Sequence, residues 1–414
     1  MYNFFSFSVF LVVGSLCLAS LFFSGGAALS SLPVITSNLF LFDSLSFYLV
    51  ILVLFLGLYS MICLNYSLSF STCFFLFLSL FFSAVCFCVN HSILFWCFYE
   101  LSMLPLLYLI FRDSPYSERF IAGWYFAGYL LITSLPLILV LFYLSSLEGS
   151  FYFNQWSGGY AAVFIYIVLA FIFFTKVPLS PFHTWLPIVH AEATSIVSIF
   201  LSGYIMKLGL LGVYRCSPFL FNGGFVTYLF FCCFFSVFFL IVASKELDGK
   251  RWLAFLSLSH IVVPFLGLFV CSWESVSLTF LFCLGHGLSA GLVFGFLWFF
   301  YNNTNTRNWL LLKSGVSGKL PMLVIVFGML SLCSFPPTLQ FFCEVNLLVE
   351  SLTSYIFIAF WSFYLFFGGL VPLVLCGHLL IRNECVENVL SASRSFLYFF
   401  FFLGLWCYLG IVVL

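Results

Sequence analysis

The chain has 414 residues, of which 64% are hydrophobic and 6% charged, with a formal net charge of zero; its mean hydropathy is +1.23. Soluble domains carry about 25% charge, so this composition excludes an ordinary soluble domain and reads as one polytopic transmembrane domain over residues 1–414. The balanced charge gives no reason to expect a nucleic acid as partner.

A membrane-crossing helix needs about 20 apolar residues. In chain order the sequence offers thirteen such segments, at 2–24, 40–65, 68–90, 92–111, 120–144, 160–190, 196–215, 225–244, 252–272, 275–300, 320–352, 354–378 and 396–414. The first lacks a basic leader and a small-residue cleavage site, and is expected to be a retained helix and not a signal peptide. The fourth carries Glu100, five residues before Pro105. The sixth is predicted to be broken: the apolar run Ala161–Thr175 ends at Lys176, Pro178 and Pro181 follow, and His183 and His190 flank the break. The seventh holds Lys207 between glycines, the ninth His260, and the tenth His286 with Ser289 close by. The eleventh is predicted to be broken at Pro336 and Pro337, with Glu344 just beyond. His91 and His378 lie near span ends and are expected at the interface. Interrupted hydrophobic segments in two separate regions are a pointer to a transport site.

The cations test this count. With one face of the membrane called side A and the N-terminus on it, side A receives Arg112, Arg119, Lys245, Lys250, Arg251, Arg307, Lys313, Lys319, Arg382 and Arg394, ten of the 13 cations. Arg215 borders side B, and Lys176 and Lys207 remain inside spans. One span more or fewer would scatter these charges, so side A is the positive-inside face.

Four ionisable residues do not fit any loop: Glu100, Lys176, Lys207 and Glu344. An unpaired charge at a helix centre costs about 2.5–3.5 kcal/mol on insertion scales. Glu100 and Lys176 are therefore expected to pair, the carboxylate holding the ammonium charged and its neutralisation favouring release of the lysine proton. Lys207 is about twelve residues from either end of its segment, too deep to snorkel easily. His286 and His260 are candidates to relay protons through water, since a neutral imidazole both donates and accepts; His183 and His190 are expected either to line an aqueous path or to bind water at the interface. The 63 Phe are read as codon drift tolerated at lipid-facing positions, and the 16 Cys show no C-x-x-C spacing and no disulfide framework. The six His lie in different segments apart from His183 and His190, which does not fit axial haem pairs, and no phosphate loop, nucleophile elbow or zinc signature is present.

Taken in order, ELSMLP, YSERFIAGWYF, KVPLSPFHTWLPIVHAEA, MKLGLLGVYR, DGKRWLAFLSLSH, GHGLSAGLVF and FPPTLQFFCE resemble the motifs of chain 4 of NADH–ubiquinone oxidoreductase, the antiporter-like membrane-arm subunit of respiratory complex I. The resemblance covers roughly residues 40–350, and its most specific motif is the one around Lys176. It implies an all-α fold of about 13 transmembrane helices with approximate inverted five-helix repeats at 68–215 and 225–378, each holding a broken helix. It implies proton translocation along a buried axis of Glu100, Lys176, Lys207, His286 and Glu344, driven by electron transfer elsewhere, with no redox centre or other cofactor in this chain and flavin and iron–sulfur clusters in partner subunits. The implied partners are other complex I subunits, neighbouring antiporter-like subunits above all, with membrane lipids, protons and water. The implied location is the mitochondrial inner membrane, with side A and the N-terminus facing the matrix and the C-terminus the intermembrane space.

The chain departs from the pattern in four places. One N-terminal helix of the family's usual fourteen is expected to be missing. Thr194 stands for the Pro after Glu-Ala, predicting a less sharp turn there. Ile188 stands where relatives often carry Lys, and Leu256 removes a hydroxyl from the water path that ends at His260. Two other readings stay open from the residues alone: a stand-alone multi-subunit cation/proton antiporter, and a structural membrane spacer whose charges lock helices.

Overall fold

The structure is a computed structural model. It describes residues 35–64, 68–157, 163–216, 223–272, 275–313, 319–352, 354–381 and 394–413. The expected span at 2–24 and Arg382 lie outside the described residues.

The described chain is helical apart from a two-residue hairpin pairing Ile35–Thr36 (β1) with Leu41–Phe42 (β2). The first helix, α1, runs Ser44–Leu64, and Asp43 caps it by accepting the Ser46 N–H. Next come α2 (Phe70–Cys88), α3 (Ser92–Asp113) and α4 (Arg119–Glu148). The first broken span is α5 (Val163–Lys176) followed by α6 (Trp185–Glu192). Then follow α7 (Ser195–Cys216), α8 (Gly223–Ala243), α9 (Gly249–Val270) and α10 (Ser277–Thr304). After the short α11 (Trp309–Leu312), the second broken span is α12 (Lys319–Leu332) and α13 (Leu339–Ser351). The last two helices are α14 (Tyr355–Leu380) and α15 (Arg394–Val413). Each expected span from 40 onward therefore has helix over it, and both expected breaks are present.

Among the described residues nine helices are long and apolar enough to cross a membrane. Two of them, α7 and α10, are buried along their apolar stretches, and they form the centre of the bundle. Around α10 pack α1, α7, α9, α12, α13 and α15. Close approach at this centre depends on glycine. A Cβ on Gly203 of α7 would lie 2.1 Å from the Leu56 side chain, and one on Gly291 of α10 would lie 2.0 Å from the same residue. Both α1 and α7 contain a π-turn at this level, Val53–Leu58 and Leu201–Ile205, and the two turns touch. The outer helices instead present large apolar side chains outward: on α2, Phe70, Phe74, Phe77 and Phe81 are exposed, as expected where lipid is the solvent.

At one end of the bundle the loops that follow α3, α6, α8 and α10 meet. Arg307 reaches Glu192 (3.5 Å) and Asp248 (3.3 Å) and also donates to the Ala191 carbonyl, while Lys250 donates to the Ala193 carbonyl at 2.6 Å. This is the end assigned from sequence as side A. At the other end Arg215 pairs with Asp43 at 2.8 Å, and Ser92 N–H bonds the Phe151 carbonyl.

Two expectations are corrected here. Lys250 is not a solvated loop residue: it is buried in the first turn of α9, where its ammonium satisfies a carbonyl at the end of α6. The turn at Thr194 is not softened by losing a proline. The chain leaves α6 at Glu192, runs extended through Ala193 and Thr194, and re-enters helix at Ser195. The physical reason is that Ser114, Lys250 and Arg307 take the free carbonyls of Glu192, Ala193 and Ala191. A helix end so capped needs no proline to stop it.

Candidate proton-handling axis

The first break holds the expected ion pair. Lys176, the last residue of α5, places Nζ 2.6 Å from Glu100 Oε1 of α3. The Lys176 side chain is 3% exposed and that of Glu100 13%. The ammonium also lies 4.0 Å from the centre of the Tyr99 ring, a cation–π contact. Its position at the C-terminal end of a half-helix is favourable, because unpaired carbonyls there carry partial negative charge.

The break itself is held by side chains that take up its free backbone groups. The Trp185 indole donates to the Thr175 carbonyl at 3.0 Å, and the Tyr228 hydroxyl to the Ser180 carbonyl at 2.8 Å. The second break repeats the backbone pattern of the first with an offset of 156 residues. Val177, Leu179 and Phe182 N–H donate to Phe173, Phe174 and Leu179; Cys333, Phe335 and Thr338 N–H donate to Met329, Leu330 and Phe335.

Lys207 sits at the bundle centre, fully buried on α7. The π-turn just before it matters, since wider turns leave carbonyls without the usual helical partner: Lys207 Nζ bonds the Ser202 carbonyl inside that turn. No acidic side chain touches it among the described residues.

Beyond Lys207 lies a polar network. The His260 and His286 rings have centroids 5.0 Å apart. His260 Nδ1 is hydrogen-bonded to the Tyr364 hydroxyl, which donates in turn to Glu344 Oε1 at 3.4 Å. Glu344 Oε1 also accepts from Ser334 (2.8 Å) and Gln340 (3.0 Å), and Ser289 donates to Gln340 Oε1 at 3.2 Å. All of these residues are buried.

The structure thus brings Glu100 and Lys176 into contact, and His260, His286 and Glu344 into a second cluster. Lys207 bonds to neither cluster. His190 is fully buried on α6, and neither ring nitrogen has a hydrogen-bond partner among the described residues. His183 stands apart in a cavity of about 240 Å³ with Glu246 and Arg251. His91 caps α3 through the Leu94 N–H, and His378 lies in the last turn of α14. Among the described residues no cluster of three or more His, Cys, Asp or Glu could hold a metal ion.

Sequence reasoning missed Tyr99, Ser334, Gln340 and Tyr364. Gln340 was within reach of such reasoning, since it precedes Glu344 by one helical turn. The others carry no signal in a chain with 21 Tyr.

A bundle with two interrupted helices and buried, paired charges at its centre is the architecture of an antiporter-like membrane protein. Residues 89–371 match the family model described as NADH:quinone oxidoreductase/Mrp antiporter, TM, and the chain belongs to this family. NADH-ubiquinone oxidoreductase chain 4 of Locusta migratoria is 31% identical over 282 residues, covering 65% of this chain and 63% of the locust chain. That of Artemia franciscana is 30% identical over 285 residues, covering 68% and 72%. A chain from respiratory complex I of Thermus thermophilus with bound NADH shares the fold with a TM-score of 0.81 at 18% identity, over 98% of this chain and 90% of that one. A chain of the Mrp complex from a Dietzia species gives 0.73 at 17% identity, over 91% and 74%.

Proposed function

We propose that this chain is a proton-translocating core subunit of the membrane arm of respiratory complex I. The observation that carries the reading is the Lys176–Glu100 contact of 2.6 Å at a helix break inside an apolar bundle. Pairing recovers the cost of two membrane-embedded charges only while both are charged. Neutralising Glu100 from a neighbouring subunit leaves the Lys176 ammonium uncompensated and drives its proton onward. Lys207 is the next station, since the free charge of one lysine disfavours the other and its ammonium bonds only the Ser202 carbonyl among the described residues. His286 and His260 pass the proton toward Glu344, which is the exit or the link to the next antiporter-like subunit. His190 and His183 serve as water-relay positions on the side A half of α6 and its approach. Each change of charge biases the next group, so the axis titrates as a unit.

In this reading the chain contributes to NADH:ubiquinone oxidoreductase activity without a redox centre of its own, the flavin and iron–sulfur chemistry residing in partner subunits. It lies in the mitochondrial inner membrane with side A toward the matrix, and the cluster of Lys250, Arg307 and Arg119 supports that orientation. The matching backbone of the two breaks supports two repeated five-helix units, at approximately 68–215 and 225–378. The likeness to the Mrp chain favours a second reading, a stand-alone cation/proton antiporter.

Two measurements decide. Purification in mild detergent is expected to yield this chain with flavin- and iron–sulfur-containing subunits; isolation with small antiporter subunits alone establishes the second reading instead. Lys176→Met in the assembled complex is expected to lower the protons moved per NADH oxidised while the chain still assembles. Unchanged pumping by that variant overturns the proton axis and leaves a structural spacer.

A further inference from the structure

We propose that Tyr364 is a proton carrier between His260 and Glu344, a role that rests on the function proposed above. The phenol is the one hydroxyl among the described residues that touches both groups: it is hydrogen-bonded to His260 Nδ1 and lies 3.4 Å from Glu344 Oε1. The other two donors to that oxygen do not bridge. Gln340 leads only to Ser289 through an amide, which does not give up a proton readily, and Ser334 makes no contact with His260.

The phenol is held for this task. Tyr364 is 1% exposed and stands edge-on to the His260 ring, with centroids 5.7 Å apart and planes at 89°. Phe360 and Trp361 pack on it at 5.4 and 5.5 Å, and Trp361 is itself anchored by its indole N–H to Ser351 Oγ at 2.7 Å. On the far side, His260 Nε2 has no hydrogen-bond partner, and the His286 ring is the next polar group, 5.0 Å away centre to centre. The imidazole thus has one nitrogen committed to the phenol and one open to an incoming proton.

The step balances. A proton arrives at His260 Nε2 from the side of His286. The Nδ1–H bond breaks as that proton moves to the phenol oxygen, and the phenol O–H bond breaks as its own proton moves to the Glu344 carboxylate. The phenol ends unchanged, the carboxylate ends protonated, and the imidazole ends as the Nε2–H tautomer. The starting tautomer returns when Nε2 gives up its proton and Nδ1 gains one, since turning the ring moves no proton between its nitrogens. Tyr364 never needs to become a stable phenolate, because proton gain and loss at its oxygen are coupled.

The test uses the whole complex reconstituted in liposomes, with NADH oxidation and proton uptake measured together. Tyr364→Phe keeps the ring and deletes one oxygen. We expect uncoupled NADH oxidation to persist while protons moved per NADH fall, because a positioned acid–base group speeds the transfer it serves by about 10²–10⁴-fold. Trp361→Phe is the structural control: it is expected to lower thermal stability and leave the ratio unchanged. Glu344→Gln separates the two claims. If Glu344→Gln pumps normally, the function proposed above fails. If Glu344→Gln loses pumping but Tyr364→Phe does not, or if Trp361→Phe matches Tyr364→Phe, the relay alone is wrong. Should Tyr364→Phe not assemble, His260→Gln carries the test, with the same loss expected and normal stoichiometry overturning the relay.

Discussion

Asp43 and Arg215 show how a single residue secures the end of this bundle away from the Arg307 and Lys250 cluster. Asp43 caps α1 through the Ser46 N–H and pairs with Arg215 at 2.8 Å, so one carboxylate ties the first described helix to the end of α7. Both side chains are mostly buried, at 16% and 9% exposure. Asp43→Asn keeps the cap but leaves the guanidinium without its counter-charge, and the cost is expected to be about 3 kcal/mol. The measurement is thermal unfolding of the purified complex, and a melting temperature equal to that of the parent refutes the lock. At this scale the sequence was informative where chemistry was costly. Lys176 and Glu100 stood out because charges in apolar runs need partners, and they are partners. Lys250 misled, because a lysine close to a loop was counted as solvated when a helix-end carbonyl had drawn it inward. Tyr364 was invisible, because an aromatic residue in an aromatic-rich span has a bland reading that is usually right.

Whole helices were easier to read than their irregularities. Segments of about 20 apolar residues mark spans almost directly, and prolines mark both breaks. The π-turns at Val53–Leu58 and Leu201–Ile205 had no such mark, because they arise from packing between helices and not from local propensity. Their contact gives an element-level prediction. Gly203→Ala would bring a methyl to 2.1 Å from Leu56, so either helix must shift. Overpacking of this kind costs about 1–3 kcal/mol. Adding Leu56→Ala should recover part of the loss, and the double mutant should be more stable than the sum of the single effects implies. Strict additivity in melting experiments would mean that the two turns are not coupled.

For the molecule as a whole, the charge asymmetry and the three-dimensional contacts point the same way. Arg307, Lys250 and Ser114 draw loops that are far apart in sequence to one end, and the loop of Ser92, Phe151 and Asn154 lies at the other. Ser117 and Asn302 are exposed at the first end and Asn154 at the second. With cysteine at each position in turn, a membrane-impermeant maleimide should label the first two from the matrix side and the third from the opposite side. Labelling of all three from one side would overturn the topology. Positive-inside asymmetry sums over many residues, so a single misreading such as Lys250 leaves the expected orientation unchanged.

The two breaks share one backbone course, yet their ionisable groups do not occupy matching places. Lys176 stands on the lip before the first break, and its counterpart 156 residues on is Leu332. Glu344 lies past the second break, and the position that mirrors it is Ile188. The frame is doubled, while the fittings have changed both sign and side. Two identical fittings would leave the molecule electrically even-handed from end to end. A cation ahead of one gap and an acid behind the other make the two breaks electrically unlike.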